Sequence, residues 1–171
     1  QFRHKGTNFS MAILTNVTPE HIESHGSFEK YRAEKAKLFY SAKTHVLNKE
    51  DSNLEFFNKI PARKKVFYSK NDLQTDLNLK LSGEFNKENA AAARAAAKEL
   101  GISEEKIKIA LEKIESVPGR LEYVQKEPFS VIVDYAHTPD ALRKVYETLK
   151  NLAPSSLPLA PKLICVLGAA G

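Results

Sequence analysis

Lys35 is the residue whose position most directly suggests chemistry. From Phe28 onward, apolar residues recur at helical steps of three and four, and Lys35 falls within that apolar stripe. Burial lowers the pKa of a lysine and favours its neutral amine, which can react with carbon dioxide to give a carbamate anion. Two carbamate oxygens would suit magnesium, whereas a lysine that buries only its stem would keep its ammonium group in water. The residue pattern leaves both interpretations open.

Polar side chains that could bind a nucleotide occur later in the chain. Asp134 ends an apolar, strand-like segment, and ligands of open α/β sheets lie beyond the carboxyl ends of strands. Its carboxylate could accept hydrogen bonds from ribose hydroxyls there, and His137 lies in the same loop. Both residues could instead stabilise the loop itself. Arg120 follows a Pro-Gly break, where its guanidinium could reach phosphate oxygens or simply remain on the surface.

Three further polar residues have two interpretations each. Asn86 and Asn89 precede an alanine-rich run, and their amides could bind the edge of a base or cap a helix. His21 follows a Thr-Pro turn, where it is either an exposed loop histidine or a ligand. The residue types alone do not choose between these interpretations.

The elements that must position these residues alternate along the chain, which predicts an α/β fold. Strands are expected at residues 11–17, 44–47, 65–68, 77–81, 130–135 and 162–167. Helices are expected at residues 28–42, 54–57, 90–100, 104–114 and 139–152, the first of them capped by Ser27. Because a helix joins the last two strands, those strands should be parallel. The break at residues 117–119 is the expected domain boundary.

The composition is that of a folded, soluble protein, with 42% hydrophobic and 27% charged residues. The formal net charge of +5 is dispersed, so it fits phosphorylated metabolites and does not favour nucleic acid. No apolar run is long enough to cross a membrane. The single cysteine, Cys165, lies in an apolar run and is expected to be a core residue. The first and last residues lead us to expect a fragment.

Four segments, taken in order, resemble the Mur ligase family. They are residues 15–21 (TNVTPEH), 25–35 (HGSFEKYRAEK), 83–92 (GEFNKENAAA), and 118–122 (PGRLE) followed by 134–142 (DYAHTPDAL). The resemblance is greatest to the members that add the third residue of the peptidoglycan stem peptide. It implies the second half of a P-loop-type central ATPase domain, residues 1–117, and the start of a Rossmann-like C-terminal ligase domain, residues 118–171. The family's Gly-x-Gly-Lys-Thr loop and its amino-acid-selecting motif are absent from this sequence.

The resemblance also implies a reaction. The expected enzyme is an ATP-dependent amide-bond ligase that adds diaminopimelate or lysine to UDP-N-acetylmuramoyl-L-alanyl-D-glutamate through an acyl phosphate. Its expected cofactors are ATP and Mg²⁺, and it is expected to be a cytoplasmic monomer without nucleic-acid or membrane partners. Two alternatives are a ligase of the cyanophycin synthetase type and a non-catalytic nucleotide-binding domain of the same fold.

The family's functional residues map onto positions of this sequence. The resemblance implies that His21 and carbamylated Lys35 bind magnesium, and that Lys35 and Arg120 take part in catalysis. It implies that ATP is bound by Asn86, Asn89, Arg120, Asp134 and His137. Glu20 stands where the family usually has aspartate, so the resemblance assigns no role to that position.

Overall fold

The computed structural model describes residues 6–19, 25–152 and 162–168. The strands in these ranges are β1 (Met11–Leu14), β2 (Thr44–Asn48), β3 (Lys64–Tyr68), β4 (Glu122–Gln125) and β5 (Val131–Val133). The α-helices are α1 (Phe28–Ser41), α2 (Leu54–Asn58), α3 (Glu84–Glu99), α4 (Glu104–Lys113) and α5 (Pro139–Leu152), and a 3-10 helix spans Lys70–Asp72. The chain divides into two compact units, Gln1–Leu77 with Lys87–Ile109 and Asn78–Asn86 with Ala110–Gly171. The mixed α/β character predicted from the sequence is confirmed.

A parallel sheet in the order β1-β2-β3 organises the first unit. Met11 is paired with Thr44 and Val46 with Val66, so β2 has a partner on both edges. Helix α1 lies between β1 and β2 in the chain, as a parallel connection requires. Its predicted N-cap is confirmed, because the Ser27 hydroxyl accepts the Lys30 N–H at 3.2 Å.

The core of the first unit lies on both faces of this sheet. On one face, Phe39 of α1 packs against Phe57 of α2 with ring centroids 4.8 Å apart. On the other face, small alanine side chains of α3 let that helix pack closely against Val46 and Tyr68. The alanines buried on α3 are Ala90, Ala91, Ala92 and Ala95. With packing on both faces, β2 is buried from His45 to Asn48, although only Val46 and Leu47 of its five residues are apolar.

The strand predicted at residues 77–81 is wrong. Its alternate leucines are partly buried, as the pattern indicated, but the segment belongs to no sheet among the described residues. The backbone N–H of Asn78 donates instead to the Glu112 carboxylate at 3.0 Å, and Lys80 forms an ion pair with Glu115 at 2.5 Å. The segment therefore bonds to the side chains of Glu112, on α4, and Glu115, just after α4, and not to a neighbouring strand.

The second unit has an antiparallel pair, β4 and β5, in which Glu122 is paired with Val133. The predicted parallel pairing of residues 130–135 with residues 162–167 is wrong, because β5 pairs with β4 and residues 162–168 form no strand. Cys165 is exposed rather than in the core, and its Sγ accepts a hydrogen bond from the Tyr146 hydroxyl at 2.9 Å. A strand needs an edge to pair with, and local hydrophobicity does not supply one. The predicted helix from Pro139 is confirmed.

Candidate functional site

A pocket of about 320 Å³ lies beyond the carboxyl end of β1 in the first unit. Polar residues line one part of it, namely Thr15, Asn16, Thr18, Tyr31 and Lys35. Apolar residues line the remainder, namely Ile13, Leu14, Val17, Leu38, Phe39 and Phe57. The carboxyl end of a parallel strand is the usual location of ligand sites in α/β folds. The pocket combines an apolar wall with a few polar groups, which is typical of small-molecule sites.

Lys35 lines this pocket, but the expectation that it is buried is wrong. Its side chain is exposed, and its Nζ lies 5.2 Å from the centroid of the Tyr31 ring. The face of α1 that is buried against the core carries Tyr31, Ala36 and Phe39, so Lys35 lies at the margin of that face. Lys37 is exposed and forms an ion pair with Glu34 at 2.6 Å, as expected for the polar side of the helix.

The predicted metal ligand His21 and its neighbour Glu20 lie outside the described residues. Within the described ranges, no group of three or more His, Cys, Asp or Glu side chains could hold a metal ion. Thr15, Asn16 and Thr18 line the pocket and carry oxygen atoms, the ligand type that magnesium prefers. The pocket therefore fits a magnesium ion chemically, and the ligand roles of His21 and Lys35 remain predictions.

Four side chains hold the segment that follows β1. The Tyr68 hydroxyl donates to the Leu14 carbonyl at 2.9 Å, and the Asn48 amide donates to the Thr15 carbonyl at 2.8 Å. The main chain of Val17 is held by Asp51 and Asn53. These bonds take up backbone groups that a strand would use, which explains why β1 ends at Leu14 although residues 15–17 are of strand type.

The sequence interpretation missed these four residues. A signal was present, since Asn48, Asp51 and Asn53 are polar residues clustered at the carboxyl end of a predicted strand. Burial raises the pKa of the Tyr68 phenol far above its usual value, and the nearby carboxylates of Glu88, Asp51 and Glu50 raise the pKa further. The phenol therefore keeps its proton and remains a hydrogen-bond donor.

The second unit brings three of the predicted nucleotide-binding residues together. Arg120 lies with its guanidinium carbon 4.8 Å from the Tyr135 ring centroid, and the Tyr135 and His137 rings meet edge to face at 4.9 Å. Arg120 is exposed, and so are Tyr135 and His137. Asp134 directly precedes this cluster. The arrangement leaves a guanidinium and an imidazole accessible beside a carboxylate, which is compatible with an anionic ligand.

Asp134 also has a structural task. One of its carboxylate oxygens accepts the Leu121 N–H at 2.7 Å, and the other accepts the Ala136 N–H at 2.7 Å. Leu121 has a φ of +43°, a left-handed conformation that is unfavourable for leucine. Asp134 therefore stabilises the strained residue that follows Arg120. This role agrees with the loop-stabilising alternative, and ribose binding remains a prediction.

Asn86 and Asn89 both lie within α3, which begins at Glu84. The Asn86 amide donates to the Ser82 carbonyl at 2.7 Å, so its side chain turns back over the start of the helix. Gly83 has a φ of +100°, and a Cβ there would lie 2.8 Å from the Phe85 ring, so only glycine fits this turn. The role of both asparagines in adenine binding remains a prediction.

The parallel sheet and its connecting helix define an α/β protein, and the pocket at the strand end is its candidate ligand site. The chain belongs to the Mur ligase family. The model of the Mur ligase middle domain matches residues 1–78, and the model of the Mur ligase glutamate ligase domain matches residues 119–171.

Two curated relatives illustrate the similarity. The UDP-N-acetylmuramoyl-L-alanyl-D-glutamate–2,6-diaminopimelate ligase of Halalkalibacterium halodurans is 35% identical over 88% of this chain and 37% of the relative. The ligase of the same name from Aquifex aeolicus is 34% identical over 100% of this chain and 39% of the relative. The chain thus spans about two fifths of the length of these relatives.

Solved structures agree on the fold. A structure of a UDP-N-acetylmuramoyl-L-alanyl-D-glutamate–2,6-diaminopimelate ligase is 29% identical, with a TM-score of 0.68 over 90% of this chain and 38% of that chain. A pseudomurein peptide ligase type C from Methanothermus fervidus is 23% identical, with a TM-score of 0.72 over 88% of this chain and 43% of that chain, which supports the fold alone. None of the helices in the described ranges is long and apolar enough to span a bilayer.

Proposed function

We propose that this chain is part of an ATP-dependent ligase that adds diaminopimelate to UDP-N-acetylmuramoyl-L-alanyl-D-glutamate. The observation that carries the proposal is the match of both Mur ligase domain models in order, together with relatives 34% to 35% identical that bear this name. The names of these relatives favour diaminopimelate over lysine as the added amino acid. We propose a cytoplasmic monomer with the domain boundary after residue 117.

The proposed reaction has two steps. The free carboxylate of the dipeptide attacks the γ-phosphorus of ATP, which forms an acyl phosphate and releases ADP. The amine of diaminopimelate then attacks the acyl carbon, and the tetrahedral intermediate collapses to the amide with release of inorganic phosphate and a proton. Magnesium, when bound, neutralises phosphate charge. The protein contributes by holding the reacting groups in line.

Each predicted site residue has one of these tasks. His21 and carbamylated Lys35 would hold the metal ion, and Asn86 and Asn89 would lie near the adenine. Asp134 would accept hydrogen bonds from the ribose hydroxyls, Arg120 would contact the phosphates, and His137 would approach the nucleotide. The exposed guanidinium of Arg120 beside Tyr135 supports its assignment.

The test is a ligase assay on the full protein encoded by the gene. Phosphate release should require ATP, magnesium, the UDP-linked dipeptide and diaminopimelate together, and mass spectrometry should detect the tripeptide product. Lysine in place of diaminopimelate is the matched comparison for the amino acid. Nucleotide binding without phosphate release would favour a non-catalytic domain. Turnover that does not require the UDP-linked dipeptide would favour a ligase of the cyanophycin synthetase type.

A further inference from the structure

Asn53 connects two parts of the first unit that line the same pocket. It is 4% exposed, and its amide nitrogen donates to the Val17 carbonyl at 2.8 Å in the segment after β1. Its amide oxygen accepts a hydrogen bond from Nη1 of Arg32 at 3.1 Å, on helix α1. One buried side chain therefore bonds both the segment after β1 and the helix that carries Lys35.

Asp51 completes the attachment of the segment after β1. Its Oδ2 accepts the Val17 N–H at 2.8 Å, and its Oδ1 accepts the Asn53 N–H at 2.7 Å. Val17 is therefore held at both its N–H and its carbonyl, and Asp51 also fixes the backbone of Asn53. The bonds to the carboxylate are of the stronger, charge-assisted kind.

The Arg32 side of the connection is also well defined. Its guanidinium carbon lies 4.2 Å from the Phe56 ring centroid and 5.6 Å from the Phe28 ring centroid. A planar guanidinium that contacts two rings has few alternative orientations. Arg32 and Lys35 are three residues apart on α1 and lie on neighbouring positions of its surface. Fixing Arg32 therefore fixes the rotation of the helix that presents Lys35.

We propose that Asn53 is a positioning residue that sets helix α1 against the segment after β1. Asn53 does not itself line the pocket, and neither do Arg32 and Asp51. Thr15, Asn16 and Thr18 line the pocket from one of the two connected parts, and Lys35 lines it from the other. A change at Asn53 should alter the distance between these two sets of groups. The catalytic consequence rests on the proposed ligase function, whereas the mechanical connection does not.

The first experiment measures the connection without using activity. Hydrogen exchange of the full protein is followed by mass spectrometry in the wild type, Asn53→Ala, Arg32→Lys and the double variant. Asn53→Ala should speed exchange at residues 15–18 by about tenfold. The variant loses the buried hydrogen bond to the Val17 carbonyl, and the loss of one such bond changes an opening equilibrium about tenfold. Arg32→Lys should speed exchange in the same segment, because the lysine ammonium group lacks the planar guanidinium that bonds to Asn53. The double variant should exchange no faster than Asn53→Ala alone.

The second experiment asks whether the connection matters for the metal. In the full ligase, Asn53→Ala should raise the magnesium concentration at half-maximal rate about tenfold and leave the KM for ATP unchanged. Ser69→Ala is the matched control, because Ser69 is 6% exposed and its hydroxyl accepts the Asn71 N–H away from the pocket. It should lower thermal stability while leaving the magnesium dependence as in the wild type.

Clear results would overturn the proposal. Wild-type exchange at residues 15–18 in Asn53→Ala, or additive effects of Arg32→Lys and Asn53→Ala, would show that the two parts are not connected through Asn53. An equal shift in magnesium dependence for Ser69→Ala would show that only overall stability matters. If Asn53→Ala does not fold, Arg32→Lys decides the question by the same two measurements. If the wild-type protein has no ligase activity, the proposed function fails and the exchange experiment alone decides the connection.

Discussion

Replacing Asp134 by alanine tests whether this carboxylate stabilises the backbone of the second unit. The substitution leaves two backbone N–H groups, those of Leu121 and Ala136, without the acceptors that each now has at 2.7 Å. A hydrogen bond to a charged group contributes about 1.5 to 3 kcal/mol, and the lower value applies because the site is only partly buried. Two such bonds together contribute about 3 kcal/mol. Leu121 adopts a positive φ that costs about 1 kcal/mol, and the bond to Asp134 helps to hold it in that conformation.

The assay is hydrogen exchange at the amides of β4 and β5 in the full protein. A loss of about 3 kcal/mol in local stability corresponds to exchange about a hundredfold faster. Asp140→Ala is the matched control, because Asp140 forms an exposed ion pair with Lys144 at 3.0 Å and its loss should cost at most about 1 kcal/mol. Exchange in Asp134→Ala within threefold of the wild type would refute the reasoning. The KM for ATP, measured in parallel, should rise if Asp134 also binds the ribose.

Three further predictions concern single residues. Lys35→Ala in the full ligase should abolish most turnover, and a short-chain carboxylic acid should restore part of it. The control Lys37→Ala should change turnover little. The carbamate assignment fails if Lys37 is the sensitive position. Tyr68→Phe should cost about 1 kcal/mol near neutral pH by thermal unfolding, because it loses the bond to Leu14. Because the folded pKa of Tyr68 is raised, only the unfolded state loses this proton above about pH 10, so wild-type stability should fall there more steeply than that of Tyr68→Phe. Gly83→Ala should destabilise the protein by about 1 to 2 kcal/mol in denaturant titration, through its positive φ and the contact with the Phe85 ring, and an unchanged midpoint would contradict the assigned turn.

Much of the fold could be predicted because its signals are local. The N-cap of α1 is a serine whose own hydroxyl accepts a nearby N–H, and α3 ends where Gly101 adopts a φ of +80°. Helix α5 begins at Pro139, which suits a first helical turn. Strand β1 appears as a short apolar run, and β2 and β3 contain the apolar pairs Val46-Leu47 and Val66-Phe67. Each of these features depends on residues within one or two turns of one another, so the sequence pattern is sufficient.

The three nucleotide-binding candidates of the second unit were named from the sequence, and their nucleotide role stays a prediction. Arg120, Asp134 and His137 were found from a chain break, a strand end and a family resemblance, and Arg120 and His137 both contact Tyr135. The hydrogen bond from the Leu121 N–H to the Asp134 carboxylate was not predictable, because Leu121 directly precedes β4 and Asp134 directly follows β5. Only pairing of β4 with β5 brings them together.

Burial of individual side chains was decided by tertiary structure. The helical period predicted an apolar stripe on α1 but not its exact rotation, and packing against β2 and α2 buries Ala36 and leaves Lys35 exposed. A rotation by one residue, about 100°, separates a core position from a pocket position. Sequence periodicity does not resolve such a difference.

The sequence by itself determined most of the helices, the positions of β1, β2 and β3 and the family, because capping, periodicity and motif spacing are encoded within short segments. Only the tertiary structure decided which apolar segments became strands, since residues 77–81 and 162–167 have strand-like patterns but pair with no strand among the described residues. It also decided how the pocket is held, because Asn53 bonds Val17 and Arg32 across long separations in the chain. A hydrogen bond between distant residues depends on where the whole chain places its donors and acceptors, and no local pattern records that placement.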